Sequence, residues 1–268
     1  MINYNLNDID KNVIIDDSTF IGNFNTIKGN VRFGKNVKIG NCCTIEGDIF
    51  IDDNTEIFNN VNLFNKIFIG KNNKIYSNCC LGFKAQHLSP HDINLKSVKI
   101  GDNNTFRENS TVHLPYENEV TVIGNSNFFM VNTHISHDSI IKNNVIIANN
   151  VAIGGHSVIG NFVNLGLNSC LHQFTRIGDY AMVGMGTSIT KDVLPFHLIS
   201  GSSKGIKQTI NFIGFSRNYR GSITSDDLVS FRNIIRKNKA IDEYSENMEL
   251  REMIESFIKT TKRGVYFD

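Results

Sequence analysis

Residues 135–165 read ISHDSIIKNNVIIANNVAIGGHSVIGNFVNL, and an apolar residue stands at every sixth position of this stretch. The same register extends from Ile15 to Ile189 with two pauses, and it fills 27 positions, 18 of them with Ile. Hydrophobic residues make up only 40% of the whole chain, so chance does not account for this series. Gly follows the apolar residue at 12 of the 27 positions.

This repeat predicts a triangular parallel β-solenoid. A short extended segment that turns every six residues needs an inward apolar anchor, a neighbour that tolerates unusual dihedral angles, and a compact second inward residue. Three such segments form one coil of 18 residues, and successive coils pair as parallel strands about 4.8 Å apart. The fold class that we predict is therefore mainly β.

Two segments interrupt the repeat. The register pauses at residues 83–99 and 113–122, and each pause contains a proline, Pro90 or Pro115. Proline cannot donate a hydrogen bond to a paired strand, and long loops on rigid scaffolds tend to carry function. We predict that both segments leave the solenoid as loops.

The period changes near the C-terminus. Residues 228–235 and 250–258 place apolar side chains at helical spacing, such as i, i+3, i+4, i+7 and i+8 in the second segment. We predict two domains, a β-helix over residues 1–200 and a C-terminal α-helical region over residues 201–268.

Composition narrows the function. The formal net charge is +1 and no basic block occurs, which disfavours a nucleic-acid partner. No apolar run is long enough for a membrane span and no leader sequence is visible, so we expect a cytoplasmic protein. The cysteine spacing favours neither a metal site nor disulfides, and Cys43 and Cys79 fall on the small inward position of the repeat.

Counting in steps of 18 residues identifies a candidate site. His137, Gly155 and Gln173 share one column, so we expect them to stack about 5 Å apart on one edge of the solenoid. Three further histidines lie next to this column, namely His134, His156 and His172. A second column contains Asn132, Asn150 and Asn168, for which we predict a ladder of side-chain hydrogen bonds. His113 and His197 lie beside interruptions, where we expect them at the surface.

These residue types suit acyl transfer without a covalent intermediate. A histidine such as His137 can take a proton from a hydroxyl or ammonium group that attacks a carbonyl, and the adjacent Asp138 can fix its tautomer. Gly155 can present its backbone N–H to the oxyanion of a tetrahedral intermediate. His134, His156 and Gln173 supply further polar contacts.

The chain resembles the UDP-N-acetylglucosamine O-acyltransferases of lipid A synthesis nearly end to end. The resemblance rests on the repeat, the helical tail and several short motifs: His134-Ile-Ser-His137-Asp138, Gly155-His156, His172-Gln173-Phe174, Gly214-Phe215-Ser216-Arg217 and a terminal Thr-Lys-Arg-Gly. The resemblance implies a left-handed β-helix, a homotrimer and sites in clefts between subunits.

The resemblance also implies roles for individual residues. His137 would be the general base, Asp138 its orienting partner and Gly155 the oxyanion donor. The acceptor and thioester site would be lined by His134, His156, His172 and Gln173. No permanently bound cofactor and no metal are implied, and the co-substrate would be an acyl thioester.

Three departures from that family influence the predicted substrates. The family's acceptor loop reads Gln-Asp-Leu-Lys, whereas this chain has Gln86-His87-Leu88-Ser89. Its paired arginines before Gly-Phe-Ser-Arg are Phe212-Ile213 here. Met185 replaces the glycine of members that use longer chains, and a thioether in the acyl groove should favour a short chain.

Because of these departures, the reading that we prefer is a related activity. In this reading the enzyme moves an acetyl group from acetyl-CoA to the amino group of a nucleotide-linked amino sugar, in surface glycan synthesis. The alternative is a divergent O-acyltransferase of lipid A synthesis that uses acyl carrier protein. Gln86 and His87 are substrate-binding candidates in both readings, and Met185 is the candidate for the acyl-chain pocket.

Two further alternatives belong to other classes. The same solenoid type hosts zinc-dependent carbonic anhydrases, for which His134, His137 and His156 would supply three imidazole ligands. In that case Gly155 and Gln173 would have no role. A solenoid that serves only as an interaction scaffold would show no turnover with any acyl thioester.

Overall fold

The computed structural model describes residues 5–89, 92–202, 205–236 and 247–266. Most of these residues form a left-handed parallel β-helix with three faces, which confirms the predicted fold class. The loop predicted at 83–99 includes residues 90 and 91, and these two lie outside the described residues.

Short strands stack along each face. The first face contains β1 (Asp8–Ile9), β10 (Cys80–Phe83), β13 (Thr111–His113), β16 (His134–Ile135), β19 (Ala152–Ile153), β22 (Cys170–Leu171) and β25 (Ser188–Ile189). The second face contains β2 (Ile14–Ile15), β11 (Ser97–Ile100), β14 (Val120–Ile123), β17 (Ile140–Ile141), β20 (Val158–Ile159) and β23 (Arg176–Ile177). The register between neighbouring coils is 18 residues wherever no loop intervenes, as in the pair His134 and Ala152.

Three longer strands bend from the first face onto the second, namely β4 (Thr26–Phe33), β6 (Thr44–Ile51) and β8 (Asn62–Ile69). The bend passes through Gly29 and Gly47, whose φ angles are 91° and 140°. A Cβ atom on Gly29 would lie 2.5 Å from the carbonyl oxygen of Gly47, so only glycine fits there.

The third face ends in a hairpin. It contains β3 (Phe20–Ile21), β5 (Lys38–Ile39), β7 (Glu56–Ile57), β9 (Lys74–Ile75), β12 (Thr105–Phe106), β15 (Phe128–Phe129), β18 (Ile146–Ile147), β21 (Asn164–Leu165), β24 (Met182–Val183), β26 (His197–Ser202) and β27 (Gly205–Ile210). β26 pairs with β24 in parallel and with β27 antiparallel.

The apolar anchors form the core as the repeat predicts. All anchors from Ile21 to Ile189 are buried, and Cys43 and Cys79 fill small inward positions beside them. This burial is the main stabilising contribution, because about 0.8 kcal/mol accompanies each buried CH₂ group.

The glycine after each anchor has a different role from the one that the sequence suggests. Positive φ angles fall instead on the third residue after the anchor, as at Asn36, Asp138 and His156. Asn is frequent at this position because it tolerates the left-handed region. Most of the glycines after an anchor are needed because the next coil is close: a Cβ on Gly22 would lie 2.5 Å from the oxygen of Gly40.

The predicted asparagine ladder is confirmed. The side-chain amide of Asn132 donates to Asn150 at 3.1 Å, and that of Asn150 donates to Asn168 at 3.1 Å. Asn109 extends the ladder by one coil, since its amide donates to Asn132 at 3.0 Å.

Three helices follow the solenoid: α1 (Phe212–Asn218), α2 (Ser225–Arg236) and α3 (Met248–Lys259). The helical segments predicted near 228–235 and 250–258 are therefore confirmed. The helices enclose a second hydrophobic core that includes Phe196, Leu228 and Ile254. The domain boundary predicted at residue 200 stays a prediction, and β26 crosses that position. No helix among the described residues has the length and hydropathy of a membrane span.

The two loops are shorter than the sequence suggests. Residues Ser97–Ile100 pair in register with β14, and Val120–Ile123 belong to β14. The loops therefore cover residues 84–96 and 114–119, and we call them the first loop and the second loop. Their flanking strands stay in the sheet because backbone pairing continues to the last residue that has a partner.

Candidate active site

His137 lies on the turn that follows β16, and its side chain is almost entirely buried. Its Nδ1 atom is 2.7 Å from Oδ2 of Asp138. An ionised carboxylate can only accept, so Nδ1 carries the proton and Nε2 keeps a free lone pair. The pair is therefore arranged as a base that faces away from Asp138.

Asp138 has two tasks. Besides the His137 ring, its carboxylate accepts the backbone N–H groups of Tyr116 at 2.8 Å, Glu117 at 3.2 Å and Asn118 at 2.7 Å. Burial alone would raise the pKa of Asp138, but the hydrogen bonds from His137 and from these amides hold it below its ordinary value. The carboxylate stays ionised, and it also holds the second loop.

Gly155 lies directly against the His137 ring, as the 18-residue spacing predicts. A Cβ atom on Gly155 would be 2.5 Å from Cε1 and 2.7 Å from Nε2 of His137. The coil register is maintained by the His156 N–H, which donates to the His137 carbonyl at 3.0 Å. Within the described part of the chain, the Gly155 N–H donates to no protein acceptor, so it is available to a substrate oxygen.

His156 joins the same cluster from the next coil. Its Nε2 lies 3.4 Å from Asp138 Oδ2 and 3.8 Å from Glu117 Oε2. Its ring stacks on Phe174 with centroids 4.4 Å apart. Burial lowers the pKa of His156, and the two carboxylates oppose this effect only in part. His156 is therefore held mainly as a neutral group near pH 7.

His134 and His113 form a second histidine pair beside the first. Their ring centroids are 5.1 Å apart, and Nδ1 of His134 shares a hydrogen bond with the Thr111 hydroxyl at 2.8 Å. Burial, with smaller effects of His113 and His137, lowers the pKa of His134 to about 4. The expectation that His113 lies at the surface is wrong, because its Nδ1–H donates to the Lys84 carbonyl and closes the first loop over it.

His197 is also buried, contrary to the sequence-based expectation. Its exposed fraction is 1%, its Nδ1–H donates to the Pro195 carbonyl at 2.8 Å, and its ring packs edge-on against Phe231. The helical region covers this position, which the local sequence pattern does not reveal.

The two loops meet over His137. The rings of His87 and Tyr116 stack with centroids 3.7 Å apart, and these centroids lie 6.3 Å and 6.0 Å from that of His137. Lys96 of the first loop donates to the carbonyl oxygens of Glu117 and Asn118 in the second loop. The structure thus brings the predicted His87 to the site, and Gln86 is exposed on the same loop.

The remaining predicted residues lie farther out. His172 and Gln173 are exposed on the coils beyond Gly155, and Nδ1–H of His172 donates to the Gln173 carbonyl at 3.1 Å. Met185 follows β24 on the third face, whereas His137 follows β16 on the first face. A single chain therefore does not bring Met185 to His137, and the Met185 side chain is 73% exposed.

The histidine triad proposed for zinc does not assemble. The group of potential ligands that lies within 4.8 Å consists of His137, Asp138 and His156, without His134. His134 points its Nδ1 at Thr111 instead. In this group Asp138 is already bound by His137 and by three backbone amides, which leaves it poorly suited to a metal.

Sequence reasoning missed Tyr116 and Phe174. Tyr116 lies in the second loop, where no periodic signal exists. Phe174 had a signal, because Asp138, His156 and Phe174 follow each other at intervals of 18 residues. Continuing that column by one coil would have found it.

Comparisons with known proteins agree with this geometry. No family model matches the chain. A UDP-N-acetylglucosamine acyltransferase from Bacteroides fragilis has a similar structure, with a TM-score of 0.82 at 27% identity over 94% of this chain and 100% of that one. The corresponding enzyme from Francisella novicida gives a TM-score of 0.71 at 27% identity, over 99% and 94% of the two chains.

Curated sequences give the same result. An acyl-(acyl-carrier-protein)-UDP-N-acetylglucosamine O-acyltransferase from Gloeothece citriformis is 35% identical over 166 residues, which span 60% of each chain. The protein of the same name from Nautilia profundicola is 31% identical over 198 residues, covering 70% of this chain and 75% of the relative. This identity, over three quarters of the relative, shows that the chain belongs to the family of acyl-(acyl-carrier-protein)-UDP-N-acetylglucosamine O-acyltransferases.

Proposed function

We propose that this protein transfers an acyl group from acyl carrier protein to a hydroxyl group of UDP-N-acetylglucosamine or a close analogue, with His137 as the general base. One observation carries the proposal: the Asp138-bound His137 ring packs directly against Gly155. The names of the relatives supply the acceptor and the donor.

The proposed reaction has two steps. Nε2 of His137 takes the proton of the acceptor hydroxyl while its oxygen attacks the thioester carbonyl. The oxyanion that forms accepts a hydrogen bond from the Gly155 N–H. Collapse of this intermediate breaks the C–S bond, and the thiolate takes the proton back from His137. The protein provides a base, an orienting carboxylate and an oxyanion donor, and it forms no covalent bond.

The comparisons support the reading that the sequence analysis placed second. They support an acyltransferase acting on a UDP-sugar, but not specifically N-acetylation from acetyl-CoA. The preference for N-acetylation rested on two local departures, at residues 86–89 and at Phe212-Ile213. Such departures alter contacts to substrate without changing the base, so they are weak indicators of the reaction type.

A homotrimer with sites between subunits fits the position of Met185. The acyl chain would extend from His137 of one subunit towards the Met185 face of a neighbour, and the thioether would close the groove to long chains. This placement explains why Met185 is exposed in the single chain.

A thiol-release assay tests the proposed function. Acyl carrier protein thioesters of several chain lengths and acetyl-CoA are offered with UDP-N-acetylglucosamine and with UDP- and dTDP-amino sugars. We expect turnover with the carrier thioester and the hydroxyl acceptor, and a loss of about two or more orders of magnitude in kcat for His137→Ala. Met185→Gly should accept longer chains than the wild type.

Two results would contradict the proposal. An unchanged rate in a folded His137→Ala variant would remove His137 from the role of base. Turnover confined to acetyl-CoA and an amino sugar would return the function to N-acetylation.

A further inference from the structure

The C-terminal tail is fixed against the last coils of the solenoid. The Asp192 N–H donates to the Gly264 carbonyl at 2.8 Å, and Nε of Arg263 donates to the Thr190 carbonyl at 2.9 Å. The Thr190 N–H donates to the Tyr266 hydroxyl at 2.9 Å, and Val265 is buried. Residues 263–266 therefore have a defined path rather than the freedom of a frayed end.

This path brings Lys262 to the active site. Its ammonium nitrogen lies 5.8 Å from the centroid of Phe174, and Phe174 stacks on His156 at 4.4 Å. His156 in turn lies 3.4 Å from the Asp138 carboxylate. A continuous series of contacts connects Lys262 to the catalytic pair.

Lys262 is also within electrostatic reach of the site. Burial is the main reason that the pKa of His156 is low, and the Lys262 charge is one of the smaller contributions in the same direction. An anion bound beside Lys262 would therefore lie close to the histidine cluster as well.

The Lys262 charge is available for binding. Within the described residues, no carboxylate lies at ion-pair distance from it, and the side chain is exposed. By contrast, Lys96 donates to the carbonyl oxygens of the second loop. A lysine that contacts only an aromatic ring gains much more from an anionic oxygen than from the ring.

We propose that Lys262 binds a phosphate group of a substrate at the rim of the cleft beside His156, and so positions the substrate for His137. This inference rests on the proposed function, because both of its substrates carry phosphate. The nucleotide acceptor has a diphosphate, and the carrier's pantetheine arm has a phosphodiester. Lysine suits either, since it is a compact point charge on a flexible stem.

Kinetics with variants of the full chain test the inference. Lys262→Ala and Lys262→Glu are compared with the wild type and with Lys259→Ala, which removes an exposed lysine of the same segment at the end of α3. We expect the KM of one phosphate-bearing substrate to rise about tenfold in Lys262→Ala, with a smaller change in kcat. The rise should be larger in Lys262→Glu and absent in Lys259→Ala.

The two substrates are distinguished by varying each in turn. A rise in the KM for the UDP-sugar assigns Lys262 to the diphosphate, and a rise in the KM for the carrier thioester assigns it to the pantetheine phosphodiester. Unchanged values of both constants in Lys262→Ala and Lys262→Glu would overturn the inference while leaving the proposed function intact.

A binding experiment covers the case in which no turnover is found. Inorganic pyrophosphate is titrated into the wild type and into Lys262→Glu while the histidine ring signals are followed by NMR. We expect shifts at the His156 ring in the wild type that are lost in the variant. Equal shifts in both proteins, or none in the wild type, would refute the role of Lys262 independently of the reaction.

Discussion

The tightest contact in the active site joins the His137 ring to the bare α-carbon of Gly155. Gly155→Ala would place a methyl group 2.5–3.0 Å from three ring atoms, so the ring must turn away from its bond to Asp138. We expect kcat to fall by at least about tenfold, since misplacing a catalytic group is costly. The measurement is the thiol-release rate at saturating substrates.

Gly154→Ala is not a suitable control, because its Cβ would collide with the next coil. Ala148→Gly removes a methyl group from the residue after another anchor and serves instead. If Gly155→Ala kept full activity, the contact between ring and backbone would not limit the geometry of the base.

His134 makes the stability of the protein depend on pH. Burial lowers its pKa to about 4 in the folded state, whereas it is near 6.5 in the unfolded chain. Between these values the unfolded chain binds more protons, so the stabilisation is complete above about pH 6.5 and is lost as the pH falls towards 4. Allowing for solvent screening of this partly exposed ring, the contribution is roughly 1–2 kcal/mol.

Urea unfolding at pH 7.5 and pH 5.0 measures this contribution at a fixed protein concentration. The difference in unfolding free energy between the two pH values should be smaller in His134→Gln than in the wild type. His172→Gln, at an exposed histidine, should keep the wild-type difference. Equal differences in all three proteins would mean that His134 titrates normally.

The second loop depends on Asp138 for its position. Three successive backbone amides, of residues 116–118, donate to one carboxylate, and hydrogen bonds to a charged group contribute about 1.5–3 kcal/mol each. Asp138→Asn removes the charge and replaces an acceptor oxygen with a donor. We expect the amides of residues 116–118 to exchange hydrogen at least about tenfold faster.

Asp179→Asn is the matched control for hydrogen exchange. Asp179 also accepts a backbone N–H on a solenoid turn, from Asn161 at 2.9 Å, but it is far from the loop in the coil order. Protection at residues 116–118 should therefore stay at the wild-type level in this variant. Equal protection in Asp138→Asn would show that Lys96 alone holds the loop.

The whole molecule is expected to be a trimer. His137 and Met185 follow different faces of the prism, so a cleft that contains both needs a second copy of the chain. Sedimentation velocity should give about three times the mass of one 30.1 kDa chain. A stable monomer with full acyl-transfer activity would remove the need for a site between subunits.

The period of the repeat made much of this fold and site readable in advance. In a solenoid, residues separated by one coil are neighbours in space, so a distance in sequence converts directly into a contact. This is why the anchors, the asparagine ladder and the contact between His137 and Gly155 were predicted correctly. The same conversion would have found Phe174.

Contacts that leave the repeat have no such rule. The amide of Tyr116 reaches Asp138 across 22 residues, and the Thr190 N–H reaches Tyr266 across 76. The stacking of His87 on Tyr116, the burial of His113 and His197, and the approach of Lys262 to Phe174 all depend on how loops and tail fold back onto the solenoid. Periodicity therefore specified the prism and its catalytic column, whereas long-range packing placed the groups that surround the column, because loop and tail contacts follow no fixed sequence interval.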